Sequence, residues 1–185
     1  VERSRGLGDV YKRQLQRFKV DEKRAEQAAQ VASSFLGLLK PSDDTYTKLL
    51  FWSGLLHEVG LVVSHSGYHK HAAYMVENAD LPGFTTREQR VMSNLVLAQK
   101  GNLRKVAEQL NDSDFAKSVL ALRLALMFMH ARIEVAADEV RLRMKKGIEL
   151  EIRKEWVTQH PTVAYWIDTV SYTHLRAHET SLHIV

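Results

Sequence analysis

The residues with the greatest chemical capacity in this 185-residue chain lie in one block, His57-Glu58-Val59-Gly60 running into Ser64-His65-Ser66-Gly67-Tyr68-His69-Lys70-His71. A histidine next to a carboxylate offers the lone pairs of a divalent-metal site. The second half of the block offers different chemistry. His65, His69, Lys70 and His71 put imidazole and ammonium donors beside a glycine turn and a helix start, where unpaired backbone N–H groups add to them. That combination suits a polyanion. A bound polyanion raises the pKa of nearby imidazoles, so binding is expected to strengthen at mildly acidic pH. Each half also has a plainer reading, His57 as a satisfied helix-end histidine and 65–71 as a solvated loop.

The elements that must hold this block are helical. Ala25, Ala28, Ala29, Ala32, Phe35, Leu36 and Leu39 recur at helical spacing between an N-cap at Asp21 and a stop at Pro41. The stretch Tyr46 to Val59 is apolar nearly all round, which predicts a central, buried helix that delivers His57 and Glu58 at its last turn, with Gly60 as the left-handed closing residue. A helix is expected over His69 to Asn78, broken by Leu81-Pro82-Gly83. Thr85-Thr86-Arg87-Glu88 reads as a capping box opening a helix to about Gln99. A short helix over Leu103 to Leu110 and a long one from Phe115 to about Arg132 follow. Then the period changes: Val140, Leu142 and Met144 alternate, Lys145-Lys146-Gly147 makes a turn, and Ile148, Leu150 and Ile152 alternate again, a hairpin pattern before a last helix over Thr162 to Asp168.

Apolar residues make up 45% of the chain and charged residues 26%, ordinary globular values. The absence of cysteine removes disulfides and thiolate metal sites. No apolar run approaches the roughly 20 residues of a membrane span. Residues 1–14 and 170–185 have no amphipathic period and resemble translated sequencing-adapter read-through; natural termini are the other reading. They carry net charges of +2 and 0, so the rest keeps only +2 of the chain's +4. Local clustering, rather than overall basicity, must then argue for an anionic partner.

The helical order resembles the HD class of metal phosphohydrolases, with His57-Glu58 where a His-Asp pair would stand. Arg24 lies nearest the position of that class's first histidine, and Leu124-Ala125-Leu126 stands where Leu-Ala-Asp would. Neither arginine nor leucine can ligate a metal, so no bound metal is expected and His57 and Glu58 read as a degenerate remnant.

A second resemblance is more specific. His57-Glu58-Val59-Gly60, then His65-Ser66-Gly67-Tyr68-His69-Lys70-His71, then Asp80-Leu81-Pro82-Gly83-Phe84 closely resemble the C-terminal region of bacterial exopolyphosphatases, in the exopolyphosphatase/guanosine pentaphosphate phosphohydrolase family. The likeness covers about residues 15 to 168, strongest over 57–84 and thin after 133, and the Ser-Gly-x-His-x-His portion looks more like the exopolyphosphatase branch. It implies a mainly α architecture, with an HD-like helical domain over 15–135, the start of a small α+β domain over 136–169, and tails at 1–14 and 170–185. The resemblance further implies that catalytic carboxylates and Mg²⁺ belong to two actin-like domains absent here. This part would grip inorganic polyphosphate in a basic channel and contribute to a homodimer. His65 and His69 match the family's channel-loop histidines, Lys100 falls near a basic position, His71 belongs to the same loop, and Lys70 and Arg24 are added on charge alone. The expected setting is the bacterial cytoplasm, with no nucleic-acid partner and no catalytic residue in the fragment. Left open are a guanosine pentaphosphate phosphohydrolase, an autonomous HD-type metal enzyme, and a module that only dimerises.

Overall fold

The computed structural model describes residues 13, 16, 20–134, 139–144, 148–152, 154–162 and 180–184. Helix α1 (Glu22–Leu39) starts at Asp21, whose carboxylate accepts from the Arg24 N–H at 3.2 Å, and closes on a left-handed Lys40. Its four buried alanines present almost no side-chain bulk, so α2 (Thr45–Leu56) crosses closely. A Cβ placed on Gly54 would lie 2.7 Å from the Ala29 Cα. One face of α1, through Ala25 and Ala29, joins an apolar cluster with Leu49, Leu55, Val59, Ala72, Met92, Leu95 and Phe115. Its other face, through Ala28, Ala32, Phe35 and Leu36, joins Leu122, Phe128, Val140, Ile152 and Trp156. Helix α1 thus lies between the two halves of the core.

Helix α2 is buried, as its uniform apolarity predicts, but it ends at Leu56 instead of Val59, and Val59–Val62 form a 3₁₀ turn. Gly60 does not take the expected left-handed conformation; the glycines with positive φ among the described residues are Gly67, Gly83 and Gly101. Its role is close approach. A Cβ there would sit 2.0 Å from the Tyr68 carbonyl oxygen and 2.6 Å from the Ala72 nitrogen, so the turn lies backbone against backbone on α3 (Tyr68–Asn78). Helix α4 (Thr86–Ala98) begins with the expected reciprocal Thr85/Glu88 capping box, and its Ser93 hydroxyl donates to the Ala73 carbonyl of α3 at 2.8 Å.

Residues 103–110 form no α-helix. They make two 3₁₀ turns, Leu103–Val106 and Gln109–Asn111, because the Asn102 side chain caps the Arg104 N–H and Asp112 already caps α5 (Ser113–His130), leaving too short a stretch to repay helix nucleation. Strands β1 (Val140–Met144) and β2 (Ile148–Ile152) pair antiparallel in the expected register, Val140 opposite Ile152, with Val140 and Leu142 inward. Helix α6 (Lys154–Gln159) precedes the expected start at His160, and its Trp156 ring lies edge-on to Phe128 at 5.9 Å. The helix expected over 162–168 falls almost wholly outside the described residues. Strand β3 (Thr180–Ile184) pairs parallel with β2, within a stretch expected to hold no element; five alternating residues are too short to register as an amphipathic period. The fold is mainly α, and no helix among the described residues is long and apolar enough to cross a membrane.

Because backbone atoms, and no flexible side-chain tip, occupy the space beside Gly60, Gly60→Ala must push the 59–62 turn off α3. The expected cost is about 2–4 kcal/mol, read as a lower urea midpoint at unchanged slope. A change under about 0.5 kcal/mol contradicts the packing described.

Candidate functional site

Two polar clusters meet at the junction of α1, the α2 end, α3 and α5. In the first, the Arg24 guanidinium donates through Nε to Glu58 Oε1 at 3.0 Å and through Nη2 to His130 Nδ1 at 3.2 Å. A guanidinium can only donate, so Nδ1 of His130 carries the lone pair. His57 is fully buried, and its Nδ1–H donates to the Gly54 carbonyl at 2.6 Å. Its Nε2 points at Glu58 Oε1 from 3.6 Å, too far for a hydrogen bond, and has no other partner. The Gln99 side chain donates to the His57 carbonyl at 3.0 Å, tying the end of α4 to this corner. Burial alone would raise the Glu58 pKa, but the interactions with His57 and Arg24 outweigh it and hold the carboxyl at about 2. His130 is lowered, chiefly by desolvation and then by the Arg24 charge.

The first cluster does not fit a metal ion. Arg24 occupies Glu58 Oε1 and the lone pair of His130 Nδ1 and brings its own positive charge, and among the described residues no group of three or more His, Cys, Asp or Glu could hold a metal.

The second cluster is cationic. Gly67 opens α3 in a left-handed conformation, with no side-chain cap on the first N–H groups. His69, in the first turn, is only 8% exposed, and its Nδ1 has no partner. Desolvation lowers its pKa, and the charges of Lys105, Lys70, Lys100 and Arg123 lower it further, to about 4. Lys105 is itself brought to about 8 by desolvation and by the charges of Arg123 and Lys70. The Lys100 ammonium lies 5.5 Å from the centre of the Tyr68 ring, which stands edge-on to His69. Tyr68 also feels Glu58 and Arg24, and His130 feels Lys100, so the two clusters are contiguous. None of the ion pairs among the described residues engages Lys70, Lys100 or Lys105. Cations gathered without counter-charges at an uncapped helix start can take up an anion.

A profile of Ppx/GppA phosphatase, domain III, matches residues 10–169. The chain belongs to the Ppx/GppA phosphatase family. Guanosine-5'-triphosphate,3'-diphosphate pyrophosphatase of Pseudoalteromonas translucida (strain TAC 125) is 30% identical over a 164-residue alignment that covers 81% of this chain and 32% of the relative. The chain therefore spans about a third of the length of that Ppx/GppA relative.

Within this Ppx/GppA domain, the expected residues fall into three groups. Arg24, His57 and Glu58 come together, joined by His130, which sequence spacing did not single out. His69, Lys70 and Lys100 share one electrostatic neighbourhood, joined by Lys105 and Arg123. His65 is exposed and His71 half-buried, and neither side chain has a hydrogen bond or ion pair among the described residues. His69 is neutral in the free chain at mildly acidic pH, so it offers a ring N–H and no charge there. Lys105 was legible only as part of Leu103-Arg104-Lys105, a charge pair on a short element.

Two pH-dependent outcomes follow from these environments. The folded Glu58 pKa lies below its unfolded value, so its stabilisation is present above about pH 4.5 and is lost as pH falls toward 2. Arg24→Met is expected to cost about 1–2 kcal/mol at neutral pH, discounted because Arg24 is 37% exposed. In acid melts that difference from the parent should close across the same window, and a deficit that persists at pH 2 assigns it to packing instead. The folded His69 pKa is also depressed, so its contribution is present above pH 6.5 and lost as pH falls toward 4. Between pH 7 and 5 the parent should lose about 2 kcal/mol more than His69→Gln in paired urea titrations; parallel slopes would contradict the buried, neutral ring.

Proposed function

We propose that this chain is the polyphosphate-gripping and dimerising part of a bacterial cytoplasmic exopolyphosphatase, in which Mg²⁺ and the hydrolytic carboxylates belong to domains outside it. The observation that supports the reading most strongly is the gathering of Lys70, Lys100 and Lys105 around the uncapped start of α3 with no carboxylate among the described residues paired to them. A phosphate chain carries roughly one charge per unit and no other recognisable feature, so a row of cations can hold it in many registers, with an affinity set by charge and salt. The Arg24-locked corner favours this over an autonomous HD-type metal enzyme. A second reading, a guanosine pentaphosphate phosphohydrolase, is favoured by the name of the Pseudoalteromonas relative.

Titration of the purified chain with long-chain inorganic polyphosphate should show an affinity that falls steeply with NaCl. Lys70→Gln and Lys100→Gln should each weaken it by about tenfold at low salt and lower the log–log salt slope by about 1. No phosphate should be released when Mg²⁺ is added. Binding that ignores salt, or hydrolysis by the chain alone, contradicts the proposal. Preferential displacement of polyphosphate by guanosine pentaphosphate at equal charge supports the second reading.

A further inference from the structure

Lys105 stands apart from the other cations of this site by how it is held. Its ammonium donates to the Lys100 carbonyl at 2.6 Å, folding back over the turn that follows α4. A Cβ built on Gly101, which has a φ of +78°, would lie 3.6 Å from Lys105 Nζ and 4.0 Å from His69 Nε2. The Lys105 ammonium and the imidazole of His69, in the first turn of α3, therefore approach the bare backbone of Gly101 at one point. One hydrogen bond leaves two of the three ammonium protons of Lys105 for another acceptor. The turn itself is held from α5. Arg123 donates through Nε to the Ala98 carbonyl at 2.7 Å and through Nη2 to the Gly101 carbonyl, so one planar fork spans both ends of the turn.

We propose that Lys105 is a direct ligand for a phosphate group of the polyanion, and that Arg123 is the positioning residue that holds the 98–101 turn so that the ammonium meets the α3 start. This rests on the polyphosphate-binding reading above, and adds to it the element after α4 and a residue of α5 that touches no ligand. The groups facing the Lys105 ammonium are Lys70 and His69 on α3, Lys100 on the turn and Arg123 on α5. Desolvation, and then the charges of Arg123 and Lys70, keep the free ammonium at about 8, and a phosphate would favour its charged form, so binding should take up a proton around and above that pH.

The test measures affinity of the full chain for long-chain inorganic polyphosphate, whose inner phosphates keep a fixed charge above pH 7, by calorimetry from pH 7 to 9.5. The parent should weaken several-fold across this range. Lys105→Met should bind about tenfold more weakly at pH 7, with a flat profile. Lys105→Arg should restore the affinity at pH 7 and stay flat, because a guanidinium does not titrate there. Arg123→Gln should lower affinity at pH 7 while moving the inflection to higher pH, since it removes a positive charge facing Lys105; a purely structural role for Arg123 would weaken binding without moving it. Parent binding that Lys105→Met leaves unchanged overturns the ligand role while the polyphosphate reading stands. An inflection that persists in Lys105→Arg does the same. No binding by the parent at any pH overturns both.

Discussion

Gly60 has no side chain, and the Tyr68 carbonyl and the Ala72 amide occupy the volume a methyl group would need. That backbone-to-backbone approach fixes the 59–62 turn on α3, and the chain on either side of it carries the two polar clusters. Upstream, His57 and Glu58 end α2 against Arg24 and His130. Downstream, the loop returns through Gly67 to start α3 with His69 facing Lys105 and Gly101. Both clusters take their positions from this contact.

Electrostatically the clusters are opposites that share a border. The first closes on itself: the Arg24 guanidinium joins Glu58 to His130, and with His57 alongside, Glu58 stays ionised well into acid. The second stays open. Its lysines pair with no carboxylate among the described residues, its histidine is held neutral, and the amine of Lys105 is pushed toward neutrality by desolvation and by its charged neighbours. Such a site is under tension that an incoming anion relieves, which is the physical sense in which it is prepared for a ligand.

Much of the scaffold could be read from local signals. The Asp21 cap, the Thr85/Glu88 box and the antiparallel pairing of β1 with β2 are each decided within a few residues. The block from His57 to His71 also announced itself by composition. What stayed hidden depends on distant contacts. His130 meets Arg24 across 106 residues, and Arg123 reaches back to the turn at 98–101. Nothing in the spacing of one long apolar helix marks which of its few polar residues turns toward the site. Gly60 illustrates a different gap. Its position after a helix suggested a left-handed cap, while the constraint that selects glycine there comes from α3, outside the local pattern.

The alanines of α1 set how far apart these parts stand. Ala29 lies so close to Gly54 that the two helices touch through their backbones, and Arg24 and Glu58 sit one or two turns further along the same crossing. The crossing therefore works as a gauge graduated in single methyl groups. Thickening α1 at position 29 would tilt Arg24 away from the α2 end, and the disturbance would pass through Gln99, bonded to His57, into the turn that carries Lys100. Variation in a residue that meets no solvent and no ligand can in this way retune a charged surface on the far side of the helix pair.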